Sequence, residues 1–209
     1  MTPEPPARRL PRAFYERDAL IVAPELLGKV LVRTVDGVRR AGRIVEVEAY
    51  RGVDDPGSHA YRGMTPRTVT MFGPGGRLYV YLSYGMHHCA NVVCGPEGEA
   101  MAVLVRALEP IGGLAAMAAA RGPAARSPDD YCSGPGKLGQ AMALDRALDG
   151  ADLVTGDRDV TVVDDGVAPP PAPARSGRIG LSTGAEMPWR WWVPGEPSVS
   201  AHRRAVAVP

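Results

Sequence analysis

Two adjacent segments with strand character constrain the fold of this chain most. Lys29–Val35 has the pattern of a β-strand, and the turn signal Val35-Asp36-Gly37 leads into Arg40–Tyr50, the clearest strand of the sequence. An Asp-Gly turn between two such runs is typical of a β-hairpin. Side chains alternate along a strand, so one face of the second strand carries Arg43, Val45, Val47 and Ala49, and the other carries Ile44, Glu46, Glu48 and Tyr50.

Further strands and three helices are predicted around this hairpin. Asp18 can cap a helix over Ala19–Leu27, although Pro24 lies inside it, and two more helices are predicted over Leu114–Ala120 and Leu138–Leu148. Residues 51–76 are rich in Gly and Pro and predict a long irregular loop, which in a compact domain is usually functional or disordered. The other predicted strands are Arg77–Ser83, Met86–Cys94, Met101–Leu108, Val160–Val163, Gly177–Ser182 and Trp189–Val193.

The order of these elements favours a single domain of the α+β class. The chain has 209 residues, and it contains neither an internal repeat nor a linker that would divide it. Antiparallel hairpins with a few helices are typical of α+β architecture. We expect a flexible N-terminal arm over residues 1–13, one domain over residues 14–205, and a Pro-rich surface loop at Ala168–Pro173.

Charge is balanced over the whole chain but unevenly distributed along it. Lys and Arg number 24 against 23 Asp and Glu, a net charge of +1 that by itself argues mildly against a nucleic-acid partner. Between Pro56 and Pro96, however, there is no carboxylate, while three of the four histidines and Arg62, Arg67 and Arg77 lie there. This segment could therefore present a basic surface.

The sequence indicates an intracellular protein that does not span a membrane. The N-terminus is rich in Pro and Arg and lacks the apolar core of a signal peptide. Leu78–Pro96, the longest stretch without Lys, Arg, Asp or Glu, contains too many polar side chains for a membrane span. Three cysteines are too few, and odd in number, for a disulfide framework. We expect a cytoplasmic or nucleoid-associated protein.

Glu46 and Glu48 are the first candidates for chemistry. At positions i and i+2 of a strand they share one face, with Tyr50 next in line, and two nearby carboxylates raise one another's pKa, which suits acid–base catalysis. Their strand leads directly into the carboxylate-poor loop that contains His59. The alternative interpretation is a strand with one solvated face, and His59 alone could be an ordinary loop histidine.

A second candidate is a group of tyrosines beside the basic segment. Tyr79 and Tyr81 share one face of their strand, where they could stack on a flat ligand, while Leu78, Val80 and Leu82 on the other face would belong to the core. Tyr84-Gly85-Met86, at the tip of the next hairpin, could act as a wedge between base pairs. The alternatives are tyrosines on a half-buried face and an ordinary hairpin tip.

Metal and nucleotide motifs do not account for these residues. His87, His88, Cys89 and Cys94 are close in sequence, but their spacing on a strand turns them to different faces, and neither a CxxC nor an HExxH motif occurs. Gly136-Lys137 lacks the remaining residues of a phosphate-binding loop, and no GxGxxG motif is present. We expect no metal and no cofactor.

Several blocks of sequence together resemble the alkyladenine DNA glycosylase family, also called 3-methyladenine or methylpurine DNA glycosylases. The blocks are GRIVEVEAY (42–50), the spaced His59, MTPRTVTMFGPGGRLYVYLSYGMHHCANVV (64–93), VLVRALEP (103–110) and CSGPGKLGQAM (132–142). They occur in the same order over about residues 20–200. The resemblance implies a single domain with a curved antiparallel sheet, a few flanking helices and a protruding hairpin.

The resemblance also implies roles for the catalytic and pocket residues. Glu48 takes the position of the general base that activates water, and Arg106 lies near that water and the phosphate of the target nucleotide. Asn91 takes the position of the asparagine that clashes with the amino group of normal guanine. The remaining pocket positions, which would line the site of the flipped base, are Tyr50, His59 and Tyr81.

The expected contacts with DNA follow from the same resemblance. Tyr84 would fill the gap left in the duplex, with Met86 beside it, and Lys137 and Arg67 would contact the DNA. His87 departs from the pattern, because an aromatic residue is common there in relatives. No lysine lies among the pocket residues, so a lyase step is not expected.

The resulting hypothesis is a monomeric, monofunctional DNA glycosylase that excises damaged purines from duplex DNA. Its substrates would be 3-methyladenine and 7-methylguanine, with hypoxanthine and ethenoadenine as further candidates. Two alternatives remain open at this point: a damaged-DNA-binding module without catalysis, and a small nucleoside or glycoside hydrolase.

Overall fold

An antiparallel sheet of nine strands organises the protein, described here from a computed structural model of residues 7–200. The third strand is the longest and lies in the middle of the sheet. The strands among the described residues are β1 (Arg8–Arg9), β2 (Val30–Val35), β3 (Val38–Arg51), β4 (Leu78–Ser83), β5 (His87–Cys94), β6 (Met101–Gly112), β7 (Val160–Asp164), β8 (Ala174–Ser176) and β9 (Arg190–Trp192).

The sheet order is β1-β7-β2-β3-β6-β5-β4, and β9 joins β3 to β8. One edge of β3 pairs with β6 along most of its length; the other edge pairs first with β2 and then, from Glu46 to Glu48, with β9. The register between β3 and β6 shifts around Glu46, which is the signature of a β-bulge. A bulge increases local twist and bends the strand, so the sheet curls into a half-barrel around the second half of β3.

Within residues 7–200, five short α-helices cover the sheet, among them α2, which packs on β3 and β6, and α5, which packs on β5 and β6. Asp18 caps α2 by accepting a hydrogen bond from the amide of Leu20, as the sequence predicts. The main core lies between these helices and the sheet. The helices are α1 (Arg12–Tyr15), α2 (Ala19–Leu26), α3 (Leu114–Arg121), α4 (Pro128–Tyr131) and α5 (Pro135–Ala141).

Most predicted elements are confirmed, and two are wrong. The predicted helix Leu138–Leu148 is in fact α5, which begins at Pro135, followed by a separate 3₁₀ turn at Arg146–Leu148. Proline fits the first turn of a helix because its missing N–H is not needed there, so the Gly-Pro-Gly signal marks a helix start. The predicted strand Gly177–Ser182 is irregular, and the strand ends before it, at Ser176.

The structure differs from the prediction at the N-terminal boundary. Arg8 and Arg9 pair with β7, and Leu10 is buried, within the segment predicted as a flexible arm. Residues 1–6 of that arm and residues 201–205 of the predicted domain lie outside the described residues. Within residues 7–200, no helix has the length and apolar character that a bilayer crossing requires.

Candidate active site

Glu48, on β3, is a fully buried carboxylate at the centre of a hydrogen-bond network. Its side chain has no exposed surface, so the prediction of a solvated strand face does not apply. One carboxylate oxygen accepts a hydrogen bond from the Tyr50 hydroxyl at 2.9 Å. The other accepts one from the backbone amide of Ile179 at 2.8 Å and lies 3.1 Å from a terminal nitrogen of Arg106.

Glu46 has a different role from the one the sequence suggested. The interpretation that the two carboxylates raise one another's pKa is wrong for Glu46, whose pKa is lowered. Burial raises the pKa of this carboxyl, but Arg106 and Arg190, together with a hydrogen bond from Ser200, outweigh burial. Both arginines bind the same oxygen of Glu46, at 2.8 and 2.7 Å. Glu46 is therefore held as an anion and is not an acid–base partner of Glu48.

An aromatic pocket opens beside this network. Tyr50, His59, Tyr81 and Asn91 all line it. The edge of the His59 ring meets Tyr81 at a centroid distance of 4.4 Å. Asn91 is held by a 3.2 Å hydrogen bond from its amide to the carbonyl of Tyr79. The structure thus brings together the four residues that the resemblance assigns to one pocket.

Tyr79 supports the pocket wall instead of offering a free stacking face. Its side chain is almost completely buried, its ring stacks against Tyr81 at 5.5 Å, and its hydroxyl lies 3.2 Å from Nδ1 of His59. The prediction that Tyr79 and Tyr81 share a face is confirmed. Only Tyr81 remains partly exposed there, because Tyr79 packs in a small second core beneath the loop that contains Met71.

The pKa shifts of three side chains in the pocket wall, His59, Tyr50 and Tyr81, favour their neutral forms. Burial lowers the pKa of His59, and the nearby charge of Arg67 lowers it further, so the imidazole is neutral at pH 7. Burial, followed by the Glu48 carboxylate, raises the pKa of Tyr50, whose hydroxyl therefore remains a hydrogen-bond donor to Glu48. Burial and the adjacent Cys89 thiol raise the pKa of Tyr81.

A wider cleft continues outward from the pocket toward the β4–β5 hairpin. It shares Tyr50, His59 and Tyr81 with the inner pocket and is also lined by Arg106 and Ile179. The Tyr50 hydroxyl and the Ile179 amide, which donate hydrogen bonds to Glu48, therefore line this cleft together with Arg106, and Glu48 lies directly behind them.

The hairpin tip projects two large apolar side chains into solvent. Tyr84 is 82% exposed and Met86 is 71% exposed. Tyr84 and Gly85 both have positive φ angles, 49° and 68°, and with Met86 they form the three-residue loop that joins β4 to β5. Leu82, predicted to be in the core, is 46% exposed, because the strand has already left the sheet core at that point.

Helix α5 supports the base of this hairpin. A Cβ atom at Gly139 would lie 2.4 Å from the carbonyl oxygen of His88, and one at Gly136 would lie 2.8 Å from the ring of His87. Neither position has room for a larger side chain, so the two glycines let the helix approach the hairpin closely. His87, the departure from the family pattern, lies against this glycine face.

The two predicted basic DNA contacts lie in different surroundings. The Arg67 guanidinium is 5.5 Å from the centre of the Tyr81 ring and lines the outer cleft. Lys137 lies on α5, where its ammonium group pairs with Asp130 and hydrogen-bonds Ser133. Lys137 is thus not part of the cleft lining. Within residues 7–200, no three His, Cys, Asp or Glu side chains are grouped as metal ligands.

Sequence reasoning missed a buried cation behind Tyr50. Arg178 stacks between the rings of Tyr50 and Trp189, at 4.7 and 5.1 Å, and forms two hydrogen bonds of 2.5 and 2.7 Å with Asp55. The next residue, Ile179, supplies the backbone amide to Glu48. Local sequence carries no signal for this arrangement, because the segment has the pattern of a strand, and Asp55 and Glu48 are more than 120 residues away.

Comparison with known proteins identifies the family. The model of the family described as "Methylpurine-DNA glycosylase (MPG)" matches residues 13–197. The chain belongs to the methylpurine-DNA glycosylase family. As a member, it is a DNA N-glycosylase, a hydrolase of DNA repair that takes DNA as its substrate.

Curated bacterial relatives of this glycosylase share about half of its sequence. A protein of Burkholderia lata is 55% identical over 198 residues, which cover 95% of this chain and 94% of the relative. A protein of Streptomyces avermitilis is 48% identical over 205 residues, 97% and 96% of the two chains. Both bear the name "Putative 3-methyladenine DNA glycosylase".

Proposed function

We propose that this glycosylase excises alkylated and deaminated purines from duplex DNA, with Glu48 as the general base. The observation that carries the proposal is the contact between Glu48 and three groups of the cleft wall, Tyr50, Arg106 and Ile179. A base in the inner pocket would place its glycosidic bond near this wall. The names of the relatives support 3-methyladenine as one substrate.

The pocket accounts for recognition of a flipped purine. An enzyme that acts on a base within a duplex must extrude it, at a cost of a few kcal/mol that is smallest for damaged bases. Tyr50, His59 and Tyr81 offer aromatic surface to the extruded ring. A methylated cationic purine also gains cation–π attraction to these rings. A neutral His59 does not repel this positive charge, and its lowered pKa favours the neutral form.

The chemistry we propose is hydrolysis by an activated water. Glu48 accepts a proton from the water, whose oxygen attacks the anomeric carbon as the bond to the purine nitrogen breaks. The electron pair of that bond leaves with the base, through an oxocarbenium-like transition state such as glycosidases use. A cationic base leaves without further protonation. Arg106 orients Glu48 and faces the cleft that would receive the phosphate of the nucleotide.

The reaction we propose ends at the abasic site. The sequence contains only two lysines, Lys29 and Lys137. Lys29 pairs with Asp164, and Lys137 pairs with Asp130, outside the residues that line the pocket. Neither is placed to form a Schiff base with the sugar, which supports a monofunctional enzyme.

Asn91 is the residue we assign to discrimination against guanine. Its amide nitrogen is held by the carbonyl of Tyr79 on the neighbouring strand, so the side chain cannot move aside freely. A rigid group in a pocket rejects a purine that carries an extra amino group at that point. The same fixation leaves purines without that amino group unaffected. 7-Methylguanine keeps the amino group, and its excision relies on the weakened glycosidic bond of a cationic leaving base.

The β4–β5 hairpin is an argument that the substrate is duplex DNA and not a free nucleoside. Tyr84 and Met86 are exposed at its tip beside the cleft, where they could enter the space that the flipped nucleotide leaves. Arg67 in the cleft and Lys137 on α5 would contact the DNA. All these residues come from one chain, which supports action as a monomer on the DNA of the cell.

A panel of duplexes tests this proposal, each containing one lesion and read out as abasic sites. We expect release of 3-methyladenine and 7-methylguanine and no release of normal guanine. Hypoxanthine and ethenoadenine duplexes determine how far the pocket accepts neutral bases. Absence of excision from every lesion duplex, with the protein folded and bound to DNA, would favour a binding module without catalysis.

A further inference from the structure

A chain of buried charges continues behind Glu48, away from the pocket. Arg190 binds Glu46, Glu46 binds Arg106, and Arg106 reaches Glu48. All four side chains are at least nine-tenths buried. Of these four, only Arg106 lines the cleft. The two inner members, Glu46 and Arg190, are distant from any DNA that the cleft could hold.

Glu46 is fixed at both of its oxygens. Oε1 accepts hydrogen bonds from Nε of Arg106 at 2.8 Å, Nε of Arg190 at 2.7 Å and the hydroxyl of Ser200 at 2.9 Å. Oε2 accepts one from the backbone amide of Ser200 at 2.7 Å. A carboxylate with this many donors can neither rotate nor accept a proton easily.

The fixed carboxylate determines where Arg106 points. A guanidinium group is planar, so holding its Nε fixes the directions of both terminal nitrogens. With Nε on Glu46, a terminal nitrogen lies 3.1 Å from Glu48. We propose that Glu46 is a positioning residue that aims Arg106 at Glu48 and offsets part of its charge. The inference rests on the proposed role of Glu48 as the base.

The charges of these four buried side chains balance, and this balance matters for a residue that acts as a general base. Two arginines face two carboxylates, so the set is neutral overall. Without the charge of Glu46, a surplus positive charge would remain beside Glu48, which favours its ionised form and weakens it as a proton acceptor. The other titratable groups that interact with Glu48 are Tyr50 on the same strand, Tyr81 on β4 and Cys89 on β5.

The main test replaces Glu46 by Gln and measures single-turnover excision against pH. We expect Glu46→Gln to lower the maximal rate about 10- to 100-fold, the loss expected when a catalytic group is misplaced by about 1 Å. The acidic limb of the pH–rate profile moves to lower pH, because the surplus positive charge stabilises ionised Glu48. The Kd for an abasic-site duplex stays within about twofold, because Glu46 does not reach the cleft.

Two further variants separate position, charge and folding. Glu46→Asp keeps the charge but shortens the side chain, so we expect a lower rate with the acidic limb at its wild-type position. Ser200→Ala removes only the hydroxyl bond to Oε1. This change lowers the rate about threefold, the scale of one hydrogen bond. If Glu46→Gln does not fold, Ser200→Ala becomes the deciding variant. An unchanged excision rate in Ser200→Ala would then overturn the proposal.

Asp152 offers a matched control. It is also a buried carboxylate between two arginines, Arg12 and Arg77, but it lies outside both the pocket and the cleft. Asp152→Asn should lower stability and leave the pH–rate profile of the folded protein unchanged. A folded Glu46→Gln protein with the wild-type excision rate and pH–rate profile refutes the positioning role of Glu46 but not the proposed function. Wild-type protein without excision, or full activity in Glu48→Gln, refutes the proposed function itself.

Discussion

The interior of the candidate active site and the tip of the β4–β5 hairpin differ in burial and in how firmly their side chains are held. Glu48 has no exposed surface and is held by two hydrogen-bond donors and an ion pair with Arg106, whereas Tyr84 is 82% exposed and projects from a three-residue loop. The interior consists of paired charges whose positions are fixed by the sheet and by a bulge in β3. The tip carries two large side chains, Tyr84 and Met86, whose apolar surface is exposed to water and would gain free energy from burial.

We propose that base excision is divided between these two regions of the fold. Chemistry requires groups that are already oriented, because reorganising a charged site during the reaction costs rate. Insertion into a duplex requires an apolar group that is free to be buried on binding, when the base is extruded. We therefore expect interior changes to affect stability or rate, and tip changes to affect DNA binding alone.

The largest expected effect concerns the interior pair Asp55 and Arg178. Both side chains are fully buried, and Asp55→Asn leaves the Arg178 charge unpaired between Tyr50 and Trp189. Removing one partner of a buried ion pair typically costs about 3–5 kcal/mol. We expect a loss of this size in the free energy of unfolding, measured by urea denaturation at pH 7.

The double variant Asp55→Asn/Arg178→Gln completes this test. With both charges removed, we expect part of the lost stability to return, because no unpaired charge remains buried. A loss below about 1 kcal/mol in Asp55→Asn would mean that the interior tolerates an unpaired charge. The contrast between an interior whose charges must stay paired and a hairpin tip that tolerates substitution would then fail.

The next effect in size concerns the tip. Tyr84→Ala removes an exposed ring, and we expect binding to an abasic-site duplex to weaken by about 1–3 kcal/mol, the usual contribution of an aromatic group stacked on a base. The free energy of unfolding should change by less than about 0.5 kcal/mol, as for exposed positions generally. Fluorescence anisotropy measures the binding, and the same urea titration measures stability.

Val167→Ala serves as the control for this experiment. Val167 is also exposed and apolar, at 42%, but it lies outside the pocket and the cleft. It should leave both quantities unchanged. Equal affinity of Tyr84→Ala and the wild type for the abasic duplex would remove Tyr84 from the proposed wedge.

The smallest effect concerns His59 and pH. The pKa of His59 is lowered by burial and by Arg67, so the unfolded chain binds a proton more readily than the folded protein. Folding stability is therefore unaffected above the unfolded pKa of about 6.5 and decreases as pH falls below it. We expect the loss of stability between pH 7 and 5 to be smaller in His59→Gln than in the wild type.

His87→Gln is the control for that pH series, because His87 is exposed on the hairpin. Thermal melting at matched ionic strength gives the comparison. An equal loss for His59→Gln and the wild type would show that His59 is not kept neutral by its surroundings.

Local patterns predicted much of the fold, whereas the family resemblance predicted the residues of the candidate pocket. The Asp-Gly turn and the alternation in Arg40–Tyr50 predict β2 and β3, and Asp18 predicts the start of α2. Tyr79 and Tyr81 share a face because alternation along a strand is a local property. The pocket residues Tyr50, His59, Tyr81 and Asn91 came from the family resemblance.

The elements that the sequence did not predict depend on distant partners. The bulge lies where β3 pairs with β6, and Glu46 binds Arg190 of β9, more than 140 residues later. Gly177–Ser182 has the composition of a strand, but Ile179 bonds Glu48 and Arg178 binds Asp55. No pattern within the segment itself can reveal such contacts.

Excision by Glu48→Gln tests the central claim most directly. Single-turnover release of 7-methylguanine and binding to an abasic-site duplex are measured on the same preparations of variant and wild type. We predict wild-type affinity and a loss in rate of about 10²- to 10⁴-fold, the range for a general base. Excision within a few-fold of the wild type would contradict the assignment of Glu48 as the base.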